Sequence, residues 1–163
     1  MLKNLSATKK GLITGLLMVG ISLLVYYAKL QIDSPVQFIG YIVYAGGVVW
    51  TIVEYSRSGN HSNKFGEYFL QGFKCFVVIT LVMVVFTFIF NKMHPEFKDE
   101  MVAAYKTEMI SKGNTTPAEM ESNITKAKDF YIVMQISSAI FGYLIIGAVV
   151  TTVVSLLVRK RNV

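Results

Sequence analysis

The sequence predicts an all-α, polytopic membrane protein: four transmembrane helices, with an extracytoplasmic helical hairpin between helices 3 and 4. The 163 residues are 53% hydrophobic and have a mean hydropathy of +0.51, so polar residues are too few to cover a soluble domain of this length. The apolar residues are concentrated in four long runs, each long enough to cross a bilayer as a helix. One polar segment, residues 91–129, separates the third run from the fourth.

The first predicted span covers residues 11–28, an uncharged run that would extend roughly 27 Å as a helix. A basic start, residues 1–10, precedes it, and this order is also typical of a signal peptide. The run ends in Val-Tyr-Tyr-Ala without the small-residue cleavage pattern, which favours a span. Gly11 and Gly15 form a G-x-x-x-G pair, for which we expect packing within the chain.

The second predicted span covers residues 35–53. Ser34-Pro35 is a start signal, because proline suits the first helical position. Three glycines in this span would allow a neighbouring helix to approach closely, namely Gly40, Gly46 and Gly47. A polar loop from residue 54 to residue 64 is then expected to turn the chain back to the membrane.

The third predicted span covers residues 68–90, and its start is the most unusual stretch of the chain. Residues 60–74 read NHSNKFGEYFLQGFK and combine glycines, phenylalanines, an acid and a base at the beginning of an apolar run. We expect Gly66 and Gly72 to permit close helix packing. The phenylalanines are expected to anchor the helix at the membrane interface.

Lys74 is the ionisable residue that this pattern singles out, because it lies inside the predicted third span. Such residues are functional candidates by default. Three interpretations stay open: the lysine reaches back to the headgroups, it pairs with Glu67 or Glu54, or it contacts a ligand or ion. Helical spacing would place polar side chains on a ridge facing the preceding loop. The candidate functional residues are Glu54, Arg57, Glu67, Gln71 and Lys74.

The polar insert is predicted to hold two helices. Pro95 can open the first helix, and Gly113-Asn114 can end it. Thr116-Pro117-Ala118-Glu119 has the spacing of a capping box and predicts the start of the second helix. No helix breaker follows, so this helix is expected to continue into the fourth span, residues 130–158.

An apolar stripe with a spacing of four residues runs along the first insert helix. It consists of Phe97, Met101, Tyr105 and Met109. The stripe is expected to pack on the second insert helix, to lie on the membrane surface, or to bind a partner protein.

The net charge of +6 does not indicate a nucleic-acid protein, because the basic residues lie at the ends of the apolar runs. Basic residues at the amino terminus, at Arg57 and Lys64 and at residues 159–161 are expected on one side of the membrane. The short loop on the other side offers Lys29. This distribution predicts that both termini are cytoplasmic and that residues 91–129 are extracytoplasmic.

The order of these landmarks resembles a known family. The motif F-G-x-x-F-x-x-G-F opens span three, His94-Pro95-Glu96-Phe97 follows that span, and Ser155-Leu156 precedes the terminal basic triplet. The chain resembles the small four-span inner-membrane proteins of Bacteroidetes named domain of unknown function 4199. It departs from that pattern at Glu67-Tyr68, where the family often has an alanine before the phenylalanine. The resemblance implies a bacterial cytoplasmic membrane as the location and implies no activity.

No catalytic motif, cofactor fingerprint or metal-ligand cluster is present in the sequence. Cys75 is the single cysteine, and the two histidines, His61 and His94, are predicted on opposite membrane faces. We therefore expect a non-enzymatic accessory, scaffold or partner-binding subunit in the lipid bilayer, with no cofactor. Its partner would be another membrane protein or a second copy of the chain. The alternative is a small oligomeric transporter or channel with a path near Lys74, Gln71 and Gln135.

Overall fold

The computed structural model describes residues 5–28, 36–59, 62–112 and 116–161, and in these ranges the regular structure is entirely helical. Four of the five helices are long and apolar enough to cross a membrane. The predicted all-α fold class with four membrane-spanning helices is therefore confirmed. The helices are α1 Ala7–Tyr27, α2 Val36–Arg57, α3 Phe65–Met93, α4 Glu96–Lys112 and α5 Pro117–Arg161.

The helices extend beyond the predicted apolar runs because local signals fix their ends. The Ser6 hydroxyl accepts a hydrogen bond from the Lys9 N–H at 3.4 Å, so α1 begins before the predicted span and includes Lys10. Helix α2 continues to Arg57, which places Glu54 in its last turns and not in the predicted loop. The proposed signals at Ser34-Pro35 and Gly113-Asn114 lie outside the described residues.

The chain divides into two compact units. The four-helix unit comprises the described parts of residues 1–83 and 140–163, and it contains α1, α2, the first part of α3 and the last part of α5. The insert unit comprises the described parts of residues 84–139 and contains the remaining parts of α3 and α5 together with α4.

Glycines bring the helices of the four-helix unit into close contact. A Cβ added at Gly11 would lie 2.6 Å from the Cys75 carbonyl oxygen, and one at Gly15 would lie 2.9 Å from Val82. The prediction that this G-x-x-x-G pair packs within the chain is therefore confirmed. On α2, Gly47 lies against the Thr14 side chain of α1.

The same kind of contact joins α3 and α5. A Cβ at Gly72 would lie 2.5 Å from the Thr151 methyl group. Gly40, Gly46 and Gly66 have no atom within 4 Å of such a Cβ, so the predicted close approach at these three positions is wrong. Gly46 and Gly66 are exposed, whereas Gly40 borders an open space between helices.

Large side chains and hydroxyls fill the remaining core of this unit. Tyr44, Val48 and Ile52 form a fully buried row on α2. The Tyr44 hydroxyl donates a 2.6 Å hydrogen bond to the Tyr143 carbonyl on α5. Because this contact satisfies a buried hydroxyl, it fixes α2 against α5.

The insert unit is organised by aromatic contacts and a capped helix start. The rings of Phe90 and Phe97 have centroids 5.7 Å apart, so the end of α3 contacts the start of α4. At the start of α5, the Thr116 N–H and hydroxyl donate to Glu119 Oε2 at 3.0 and 2.8 Å. The predicted capping box is confirmed, and α5 continues without a break through the predicted fourth span.

Candidate functional site

A buried ion pair joins the amino-terminal end of α1 to the carboxyl-terminal end of α2. The Lys10 ammonium lies 2.9 Å from Glu54 Oε2, and the two side chains are 5% and 19% exposed. The Lys10 ammonium also lies 5.4 Å from the centre of the Trp50 ring, within the range of a cation–π contact. Lys10 was expected in the basic tail, and the structure places it inside the α1–α2 interface.

Helical spacing explains why these side chains meet. Lys10, Thr14 and Met18 are four residues apart and are all buried, so they share the packed face of α1. On α2, Trp50 and Glu54 have the same spacing and face α1. Gly47 brings the two backbones together one turn earlier, which lets the lysine reach both α2 side chains.

Three buried oxygen atoms in the four-helix unit have no hydrogen-bond partner among the described residues. They are Glu54 Oε1, Thr151 Oγ1 and Ser155 Oγ. The carboxylate of Glu54 is therefore paired through one oxygen only. A buried polar atom without a partner is unfavourable, so the carboxyl-terminal parts of α2 and α5 hold polar groups whose hydrogen bonding is incomplete.

The residues of the predicted ridge on α3 lie in different surroundings. Lys74 is exposed and forms no ion pair with a described residue, while Glu54 pairs with Lys10 instead. Glu67 accepts a 2.7 Å hydrogen bond from the Ser62 N–H at the start of α3. Gln71 is half-buried and Arg57 is exposed. Pairing with Glu54 is not observed; reaching back to the headgroups and contact with a ligand or ion both stay predictions.

Cys75 lies next to Lys74 in the sequence but inside the four-helix unit. Its side chain is fully buried. Its Sγ is 3.3 Å from the Thr51 hydroxyl and 3.7 Å from the Gly47 carbonyl oxygen. The thiol therefore belongs to the packed contact between α2 and α3.

The insert unit contains an open groove of about 680 Å³ between α4 and α5. Apolar side chains from both helices form most of its surface, in particular Met101, Tyr105, Phe130 and Met134. Two members of the predicted stripe thus line the groove. Of the other two, Phe97 contacts the rings of Phe90 and His94, and Met109 is half-buried.

Polar side chains also line this groove. Glu108 belongs to α4, whereas Asn123 and Lys126 belong to α5. The groove therefore combines an apolar surface with a few polar groups of both charges. This composition is typical of a surface that binds another molecule with a defined orientation.

The His94 ring and the Glu96 carboxylate are in contact, with Nδ1 2.9 Å from Oε1. The Glu96 backbone N–H and then the His94 ring lower the pKa of the Glu96 carboxyl. Both residues lie at the start of α4, so this contact belongs to the helix start. Within the described ranges, no three metal-ligating side chains lie close enough to hold a metal ion, and His61 is outside those ranges.

Comparison with protein families gives the identity of the chain at family level. The family described as protein of unknown function (DUF4199) matches residues 9–160, which is nearly the whole chain. The chain belongs to the DUF4199 family. Comparisons with curated proteins and with solved structures find no match.

For this DUF4199 member, the sequence singled out Glu54 but not its ion-pair partner Lys10. Lys10 was missed because it precedes the apolar run and was counted among the basic residues of the terminus. The sequence did contain a signal for the burial of Lys10. Lys10 directly precedes Gly11 and lies four residues before Thr14. A helix that starts at Ser6 would therefore place Lys10 close to the face that carries Gly11 and Gly15. The DUF4199 description assigns no role to either residue.

Proposed function

We propose that this DUF4199 protein is a non-enzymatic membrane component that binds a partner membrane protein through the groove of the insert unit. The observation that carries the proposal is the groove surface of Met101, Tyr105, Phe130 and Met134. Methionine and aromatic residues are enriched in protein interfaces. Phe130 and Met134 are each 58% exposed, so this apolar surface is left uncovered by the chain itself.

The position of these residues in the sequence indicates what kind of partner fits. Phe130 and Met134 belong to the predicted fourth span, whereas Met101 and Tyr105 belong to the predicted insert. A partner that covers all four needs a segment that is apolar and lies near the membrane surface. An amphipathic or transmembrane helix of another membrane protein meets this requirement.

Site-specific photo-crosslinking tests the proposal in native membranes. A photoreactive amino acid replaces Tyr105 in the groove, and a matched variant carries it at Leu81, which is exposed in the four-helix unit. We expect a discrete protein adduct from position 105 that Met134→Asp abolishes, and only lipid adducts from position 81. Mass spectrometry of the adduct distinguishes a different protein from a second copy of this chain.

The absence of a protein adduct at position 105, or the same adduct from position 81, would contradict the proposal. An adduct made of two copies of the chain would indicate that the partner is a second copy of this protein. Met134→Asp is accompanied by Val133→Asp as a control, because Val133 is equally exposed but does not line the groove.

The alternative function, a small oligomeric transporter or channel, has less support from the packing. A path beside Cys75 would run through the part of the four-helix unit where Gly47 contacts Thr14 and Gly72 contacts Thr151. These contacts leave little room at the level of the thiol. A pathway formed between several copies of the chain would need another route. The accessibility of Cys75 to thiol reagents distinguishes a path through the unit from a path between copies.

We further propose that the protein lies in a bacterial cytoplasmic membrane with both termini in the cytoplasm and residues 91–129 outside. The four predicted crossings place the termini on the same side, and the basic end of α5 at Arg159–Arg161 supports the cytoplasmic assignment. Single cysteines at Ser62 and Ser122 in a Cys75→Ser background test it. An impermeant maleimide added to spheroplasts should label position 122 alone; labelling of position 62 alone would reverse the topology.

A further inference from the structure

A second cavity lies within the four-helix unit and is separate from the insert groove. Its volume is about 300 Å³, and residues from α1, α2, α3 and α5 line it. They include Met18 and Ser22 on α1, Gly40 and Tyr41 on α2, Met83 on α3 and Tyr143 on α5. All lie within the predicted spans, so the cavity is at the depth of the bilayer.

The cavity exists because α1 is tightly packed along only half of its length. The six buried residues of α1 all lie between Ala7 and Met18. Beyond Met18, the residues of α1 are half-buried or exposed. A Cβ at Gly40, which lines the cavity, would meet no atom within 4 Å, so α2 leaves open space there.

The environment of the cavity indicates what fills this space. A gap between helices at this depth borders hydrocarbon chains, since the bilayer core contains no water. Met18, Met83 and other apolar side chains form its inner surface, and Ser22, Tyr41 and Tyr143 supply hydroxyl-bearing side chains. This combination matches a hydrocarbon chain that ends in an ester group.

The volume sets the size of the occupant. A space of about 300 Å³ is at the lower limit of ordinary ligand sites. It is roughly ten times the volume of one water molecule in the liquid. The cavity is therefore too small for a whole lipid but large enough for part of one acyl chain.

We propose that this cavity binds one acyl chain of a membrane phospholipid, inserted between α1 and α2 from the leaflet at the carboxyl-terminal end of α1. The bound chain covers Met18 and Met83, and it fills the space that these helices leave open. The cavity is thereby a lipid site inside the protein and differs from the annular surface that every membrane helix presents to lipid.

A photoactivatable lipid tests this assignment. The full chain is reconstituted in nanodiscs of phosphatidylethanolamine and phosphatidylglycerol with a small fraction of phosphatidylcholine whose acyl chain carries a diazirine. After irradiation, peptide mass spectrometry maps the labelled residues. Met18 and Met83 are 2% and 5% exposed, so labelling of both requires a chain inside the cavity. Leu81 on the outer surface is 59% exposed and is expected to be labelled in every sample.

Two matched variants give the decisive comparison. Gly40→Phe fills the cavity, whereas Gly46→Phe adds the same side chain on the same helix at an open position that does not line it. We expect Gly40→Phe to reduce labelling of Met18 and Met83 severalfold, with Leu81 unchanged, and Gly46→Phe to have no such effect. Thermal unfolding checks that both variants fold, and Ser22→Phe fills the cavity from α1 if Gly40→Phe does not fold.

Two results would overturn the proposal. In the first, Leu81 is labelled while Met18 and Met83 are not, which would show that the cavity does not admit a chain. In the second, both methionines are labelled equally in the wild type and in the cavity-filling variant, which would show that label reaches them by another route.

Discussion

Lys10 and Glu54 place two opposite charges inside a contact between membrane helices, where each charge is stabilised by the other. Removing a charge from water is expensive, and the cost is offset only when the partner is close and well oriented. At 2.9 Å the Lys10–Glu54 pair satisfies this condition for one carboxylate oxygen. The loss of either partner would leave the other charge buried alone.

Lys10→Met is therefore expected to destabilise the folded protein by about 2 kcal/mol, less than for a fully buried pair, because the Glu54 side chain that remains is 19% exposed. The double variant Lys10→Met/Glu54→Met should recover most of this loss, because no buried charge remains. Unfolding in mixed micelles gives the free energies. Lys9→Met is the control, since Lys9 is exposed; if Lys10→Met behaves like Lys9→Met, the pair does not stabilise the fold.

Single residues also show why the sequence drew attention to Lys74 and not to Lys10. Lys74 was singled out because it lies inside an apolar run, and Lys10 was not because it lies before one. Burial depends on the helix face: Gly72, Cys75 and Phe76 are buried, and at 100° per residue Lys74 lies on roughly the opposite side of α3. Run boundaries are visible in a sequence, whereas the inward face depends on neighbours that the sequence does not reveal.

Among the elements, α5 was predicted most accurately because its start depends on local chemistry. A capping box needs only a threonine, a glutamate and their spacing, so Thr116 and Glu119 could be recognised without knowledge of the fold. The start of α3 shows the opposite case. Its Glu67 reaches back to Ser62, five residues earlier, which no standard spacing predicts.

The start of α5 should depend on pH through Glu119. Hydrogen bonds from the Thr116 N–H and then the Thr116 hydroxyl lower the pKa of the Glu119 carboxyl. Its contribution to helix stability is therefore complete above the ordinary glutamate pKa and is lost as the pH falls through the lowered value. Amide hydrogen exchange at residues 116 and 118–120 should become faster over that acidic range, after correction for intrinsic exchange.

Glu119→Gln supplies the comparison for this experiment. Its exchange at residues 116 and 118–120 should lack the additional acid-dependent acceleration expected in the wild type. Glu121→Gln is a suitable control, because Glu121 is exposed on the same helix and has no part in the cap. An identical pH profile for wild type and Glu119→Gln would show that the carboxylate does not stabilise the helix start.

For the whole molecule, the number of membrane-spanning helices was predictable, whereas the positions of the sites were not. Length and apolar composition determine whether a helix can span, and both are properties of one segment. The groove of the insert unit and the cavity of the four-helix unit each need side chains from several helices. Met101 and Met134, for example, are more than thirty positions apart in the chain, and only the fold brings them to one surface.

The packing of the four-helix unit predicts that Cys75 is inaccessible. Its thiol is fully buried between α2 and α3, so maleimides added from either side of the membrane should leave it unmodified until the protein is denatured. Mass spectrometry before and after denaturation measures this. Rapid labelling by a small water-soluble reagent in the native protein would indicate an aqueous path beside α3 and would favour the channel hypothesis.

The contact between Lys10 and Trp50 has a practical consequence for following this protein in solution. Trp50 is the only tryptophan of the chain, and its ring centre lies 5.4 Å from the Lys10 ammonium. The tryptophan fluorescence therefore comes from a single ring in the α1–α2 contact. Separation of α1 from α2 removes the nearby cation, so the emission spectrum reports the docking of these two helices without any added dye.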